Sequence, residues 1–280
     1  MTINISNTPS HDWRGQPGLK YRLFSFLPRR LFLELRWNAN RFFRQSYHTQ
    51  SQYLRQRTNC DPDANSLHPF DKTRSIFVHI PKCAGISVNH TLYGNLAGGH
   101  KTLDQYLRIF EPRLVLSYFK FSIVRNPWDR LVSAYHFLQK GGANNEDRDW
   151  FTRHLIQYPT FDSFVRGWLN AKNARSWYHF RPQVDYLLDS SGKVSLDFIG
   201  HFENLHDDFA YIAKKLGKDV TLANSNKSKH VDYRSYYDDE TRDIVAQVYA
   251  RDIALLGYTF DNSGMESIFG NRNKGVTSHE

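Results

Sequence analysis

The sequence predicts an α/β fold, a central parallel sheet flanked by helices in three layers. Three observations carry it. Residues 75–80, 118–125 and 193–200 are short apolar or β-branched runs that read as buried strands. Each is followed by a turn and then by a helix-period pattern. Strands alternating with helices, with no internal repeat, favour parallel βαβ units.

The chain has 280 residues, with 15% aromatic and 23% charged residues, a composition of a globular enzyme and not of a disordered chain. The net charge of +9 is uneven. Residues 1–57 hold ten Lys/Arg against Asp12 and Glu34, and the other 223 residues carry about +1. The basic character thus belongs to an N-terminal extension and gives no argument for a nucleic-acid ligand of the main domain. Two cysteines, Cys60 and Cys83, do not make a disulfide framework, and a reducing compartment is expected. The scattered histidines show no zinc-site spacing, so no metal is expected. The absence of a long apolar run and of a signal-like start gives the expectation of a cytoplasmic or membrane-peripheral protein.

The expected organisation is a basic extension over 1–57, a main domain over 58–262 and a flexible tail over 263–280. Residues 1–20 are polar, with Pro and Gly, and read as poorly ordered. From Pro28, the spacing of Phe32, Leu35, Ala39 and Phe42 predicts a basic amphipathic helix. Its apolar stripe faces protein, either this domain or a second copy in a homodimer, or else an anionic membrane surface. Residues 59–71, with Pro62 and Pro69, read as a linker.

The first strand runs into Pro81-Lys82-Cys83-Ala84-Gly85, a small-residue turn in which Gly85 allows a positive φ or a close approach. The next helix turns Ile86, Val88 and Leu92 inward. Its first free N–H groups favour an anion, and Lys82 adds a positive charge. The lysine precedes the glycine, so this is not a Walker A loop. A short helix over 103–110 closes at Pro112. The second strand ends at Arg125, after which Asn126 as N-cap, Pro127 at the first position and Asp129 in the first turn start a helix reaching Gly141. Arg125 and Ser133 both fall at the carboxyl edge of the sheet, where α/β folds bind ligands; the alternative partner for Arg125 is Asp129. Helical segments are expected at 151–156, 161–169, 203–216 and 238–256, and loops at 142–150 and 224–233.

HIPKCAGIS, FSIVRNPWDRLVSAY, FIGHFENL and YARDIALLGYTF together resemble the Golgi-type carbohydrate sulfotransferases and their bacterial relatives, over roughly residues 75–260. The resemblance implies a P-loop-kinase-like sheet. It also implies 3′-phosphoadenosine 5′-phosphosulfate (PAPS) as sulfuryl donor, and a hydroxyl or amine of a carbohydrate or glycoconjugate as acceptor. It assigns the 5′-phosphosulfate to Lys82, Cys83, Ala84, Gly85, Ile86 and Ser87, and the 3′-phosphate to Arg125 and Ser133. Lys82 fits the task of following charge onto the leaving phosphate. The resemblance implies a base between the two motifs, a histidine or in some members a glutamate, and His100 is the best match by position, with His79, His90 and His136 read as structural. His179, Arg181 and Gln183 match a family segment and line the acceptor side or form a solvated turn. Lys227, Lys229 and His230 form a basic loop that closes over the nucleotide or is plain surface. A transmembrane anchor and paired cysteines, found in eukaryotic members, are missing here. The basic extension also supports a rival reading, a non-catalytic membrane- or polyanion-binding protein on the same fold.

Overall fold

The computed structural model describes residues 28–42, 54–61, 65–222, 231–263 and 265. The expectations for residues 1–20, for Lys227, Lys229 and His230, and for most of the 263–280 tail lie outside these. Met265, in that tail, is 2% exposed and belongs to the core.

The basic helix is present as α1 (Arg29–Phe42). It docks on this domain through Phe32 and Leu33, both buried, and Arg29 pairs with Asp189 at 3.2 Å. Leu35, expected on the inner stripe, is exposed. Part of the expected linker is helical: α2 (His68–Thr73) buries Pro69 and Phe70, because an apolar Pro-Phe pair in its first turn finds the core.

Strands β1 (Ser75–Val78), β2 (Phe119–Val124) and β3 (Phe198–His201) form one parallel sheet in the order β1-β2-β3. Ser75 faces Phe119 and Phe121 faces Phe198 across the ladders. Between β1 and β2 run α3 (Gly85–Tyr93), α4 (Leu103–Ile109) and α5 (Pro112–Ser117). Pro112 was expected to close a helix; it also opens the next one, a position where its missing N–H is harmless. After β2 come α6 (Pro127–Gln139), α7 (Asn145–His154), α8 (Phe161–Gly167) and α9 (Val184–Leu187). Helix α6 starts as its sequence dictates, the Asn126 side chain accepting from Trp128 N at 3.0 Å. Helix α7 begins six residues before the expected 151, since Asn144 caps it through Asp147 N. The third strand is shorter than expected; residues 193–197 precede it, with Val194 in a lone antiparallel bridge to Leu188. Helix α10 (Leu205–Lys215) follows β3, and the last helical pattern is split at Tyr249 into α11 (Asp239–Val248) and α12 (Ala250–Leu256).

Two cores hold this together. One surrounds the sheet, with Ile76, Phe77, Val78, Phe121 and Ile123 against Val88, Leu92 and Phe209. The other is aromatic, with Trp128, Tyr135, Trp150, Phe164, Trp168, Phe180 and Tyr249. With all strands parallel, the segments leaving them share one edge of the sheet. That edge is where the expected site residues meet.

Candidate functional site

The turn after β1 has an uncommon backbone. Lys82 has φ +68° and Ala84 φ +59°, with Cys83 between them at negative φ. Two left-handed residues so close together fold the turn tightly just ahead of a helix start, a place where backbone N–H groups can receive an anion. Helix α3 opens directly behind it, adding its free N–H groups and dipole. Gly85 itself is not at positive φ. It is needed for a different reason: a Cβ there would sit 1.9 Å from the His79 ring. We expect Gly85→Ala to destabilise the fold by about 1–3 kcal/mol and to displace His79, read out as a lower urea midpoint together with lost activity.

Within this turn the side chains diverge. Cys83 is buried, its thiol directed to Gln183 Oε1 at 3.5 Å and pushed up to about 12 by burial. It can therefore offer a ligand its backbone N–H and not a thiolate. Ile86, expected to face inward, is 59% exposed, at the second position of α3. Ser87 is half-buried in the first turn of α3. Lys82 lies half-buried with Nζ 3.8 Å from the centre of the Phe137 ring. Burial, and then the charge of Arg125, pull its ammonium down to about 8.

Arg125 directly follows β2 and reaches both neighbours. Its Nη1 donates to Lys82 O at 3.1 Å, its guanidinium stacks on Phe202 at 4.1 Å, and Nε and Nη2 donate to Asp129 at 2.8 and 2.9 Å. The alternative ion pair is thus the one seen. It takes the bidentate face, while two of the five N–H groups stay uncommitted among the described residues. Asp129, Ser133 and Phe137 follow at four-residue spacing and share one face of α6, and Arg125 meets that face through Asp129. Buried Gln183 ties the two turns together: its Oε1 accepts from Arg125 N at 2.9 Å and its Nε2 donates to Arg125 O at 2.8 Å. Asp252, on α12, in turn accepts from the N–H groups of Gln183 and Val184.

His100 reaches the same edge from the loop after α3. Its Nδ1 lies 3.1 Å from His79 O. A carbonyl can only accept, so Nδ1 carries the proton and Nε2 presents a lone pair. The ring is exposed on one side and stacks against Tyr178 at 5.3 Å on another. Desolvation by its dense surroundings lowers its pKa to about 4, so the imidazole is neutral at pH 7. His79 is buried, touches the His100 ring at 4.2 Å and serves as its support. His90 is exposed on α3, and His136 packs on Tyr135 and Tyr236.

The 176–183 segment is no solvated turn: His179 is 4% exposed and Gln183 fully buried. Arg181 stacks over Tyr186. Sequence reasoning missed Asp147, which lies in what reads as a polar loop. It is buried and accepts from Ala143 N at 3.0 Å, Tyr178 OH at 2.9 Å and His179 Nε2 at 3.2 Å. Burial alone would raise its pKa, but the hydrogen bonds outweigh this and hold the carboxyl down at about 2. Gly142, at φ +67°, leaves the room for it. The available signal was Asn144 followed by Glu146 and Asp147, a helix start. Among the described residues no cluster of His, Cys, Asp and Glu could hold a metal, and no helix is long and apolar enough to cross a membrane.

An anion-receiving turn, an arginine at the end of the next strand and a neutral imidazole beside them suit transfer of an anionic group. A family model described as the sulfotransferase family matches residues 70–259. The chain belongs to the sulfotransferase family. Its sequence relatives include carbohydrate sulfotransferase 10 of Homo sapiens, 30% identical over 178 residues, 51% of this chain and 47% of the relative. Carbohydrate sulfotransferase 10 of Gallus gallus is 29% identical over 177 residues, 50% and 47% of the two chains. Carbohydrate sulfotransferase 11 of Rattus norvegicus is 25% identical over 186 residues, 58% and 53%. The chain spans about half the length of these curated sulfotransferases. No solved structure matches it significantly. The family match contains both anion-suited turns, His100 and the 176–183 segment.

Proposed function

We propose that this chain transfers a sulfuryl group from PAPS to a hydroxyl or amine of a carbohydrate or glycoconjugate, on a P-loop-kinase-like arrangement of its sheet. The observation that carries the reading is the contact of Arg125 Nη1 with Lys82 O at 3.1 Å. It brings two anion-suited turns side by side, as a donor with a phosphate at each end of its nucleotide requires. The 82–87 backbone receives the 5′-phosphosulfate. The uncommitted N–H groups of Arg125 and the Ser133 hydroxyl receive the 3′-phosphate, with Asp129 fixing the guanidinium plane.

In the transfer, the acceptor oxygen or nitrogen forms a bond to sulfur as the bond from sulfur to the phosphate oxygen breaks in line with it. His100 Nε2 takes the acceptor's proton. Lys82 neutralises the charge arriving on the phosphate, and it can do so because its ammonium is half-buried and held over Phe137 by an aromatic face, not by a carboxylate.

The test is calorimetry with 3′-phosphoadenosine 5′-phosphate. Binding in the micromolar range is expected, and Arg125→Ala should weaken it by roughly 10- to 100-fold, the range for a lost charge-assisted hydrogen bond. No binding to the intact chain would refute the reading.

A further inference from the structure

We propose that His179, held by Asp147, receives a second hydrogen-bond donor of the acceptor, so that this site is built for an acceptor carrying a hydroxyl or amine next to the one that is sulfated. The inference rests on the sulfuryl-transfer reading above and specifies the acceptor within it.

The protonation of the pair follows from its geometry. Asp147 is fully buried and collects three donors, one of them His179 Nε2 at 3.2 Å. An ionised carboxylate only accepts, so the His179 proton sits on Nε2 and Nδ1 presents a lone pair. That Nδ1 is buried and has no hydrogen-bond partner. Its ring neighbours are aromatic: Tyr178 at 4.2 Å, Phe137 at 4.9 Å and His100 at 6.3 Å between ring centres. A buried acceptor left unpaired is unfavourable, which marks it as waiting for a donor.

The segment that presents it is fixed in place. Four consecutive carbonyls are each held by a side chain. Tyr186 OH donates to Tyr178 O at 2.8 Å and Arg130 Nη1 to His179 O at 3.1 Å. Tyr249 OH donates to Phe180 O and Arg130 Nη2 to Arg181 O, both at 2.7 Å. The His179 carbonyl and Nε2 are thus engaged, and Nδ1 is the ring nitrogen left without a partner among the described residues. His100 is exposed and packs beside Tyr178 and His179, so an acceptor would arrive from its side. With ring centres 6.3 Å apart, the two imidazoles are near enough for neighbouring groups of one sugar ring to reach both, each over a hydrogen bond of about 2.8 Å. A vicinal diol or amino alcohol satisfies both lone pairs; a simple alcohol or phenol leaves Nδ1 unpaired and is discriminated against.

The test uses labelled PAPS and p-nitrophenyl glycosides, each compared with the monodeoxy analogue lacking a hydroxyl beside the sulfated position. The intact protein should lose at least about 10-fold in kcat/KM on the analogue. His179→Phe should treat the pair alike while keeping its affinity for 3′-phosphoadenosine 5′-phosphate. His179→Asn, which keeps an acceptor near the Nδ1 position, should restore part of the discrimination. If these variants misfold, 15N spectra of the intact protein decide. Adding the glycoside to protein saturated with 3′-phosphoadenosine 5′-phosphate should shift one bare imidazole nitrogen besides that of His100. Discrimination that survives in His179→Phe, or the absence of such a shift, overturns the proposal. So does loss of the acid limb of the pH profile in His179→Phe, which would make His179 the proton acceptor. An active protein indifferent to the deoxy change rejects this inference alone. Failure to bind nucleotide and to sulfate any acceptor rejects the transfer reading, and this inference with it.

Discussion

Replacing His100 by alanine is expected to lower turnover by about 10²- to 10⁴-fold, the range lost with a positioned general base. Affinity for 3′-phosphoadenosine 5′-phosphate should stay unchanged, because the imidazole stands beside the donor turn without forming it. The pH dependence gives an independent signature. A base must be neutral to act, and the His100 pKa is lowered, to about 4, by burial. The acid limb of kcat/KM should then fall near pH 4, with activity held through the range where an ordinary imidazole, near 6.5, would already be protonated. Turnover in His100→Ala equal to that of the intact protein would reject His100 as the base. An acid limb near 6.5 would instead mean that the ring is not desolvated as its surroundings require.

Lys82→Ala should lower kcat by about 10²- to 10³-fold, comparable to removing one preorganised donor from a developing oxyanion. Here the alkaline side of the profile is diagnostic. The ammonium is the active form, and with its pKa lowered to about 8 it is lost as pH rises through 8. So kcat/KM should fall above pH 8, and this limb should vanish in Lys82→Ala. For kcat the limb should move upward, since bound phosphates favour the charged amine. An unchanged kcat, with only donor affinity reduced, would assign Lys82 to ground-state binding and not to the leaving group.

Much of this site was legible because its signals are local. A strand with Arg125 at its carboxyl end, a helix capped by Asn126 with Pro127 behind it, and a small-residue turn after β1 each declare themselves within a few residues, and the structure has all three, the strand closing one residue earlier, at Val124. Ile86 was misread, and Gly85 read without its partner, for the same reason. Periodicity fixes which helix positions share a face but not which face meets the cleft, and a glycine shows that something comes close without showing what. Only the fold brings the His79 ring to Gly85. The linker over 59–71 and the late start expected for α7 show the converse, where short helices anchored by Phe70, or by Asn144 at a cap, carry too few periodic positions to be read.

The sequence by itself determined the class of fold, the parallel order implied by three strand-turn-helix units, and the residue types that suit two anions. These depend on burial, capping and charge, which are properties of short stretches. Tertiary structure alone decided which residues are partners. Gln183 joins the two turns from 58 residues away, and Asp147 orients His179 across 32. Those pairings follow from parallel strands presenting their carboxyl ends on one edge, a condition of three-dimensional closeness that leaves no mark on sequence spacing.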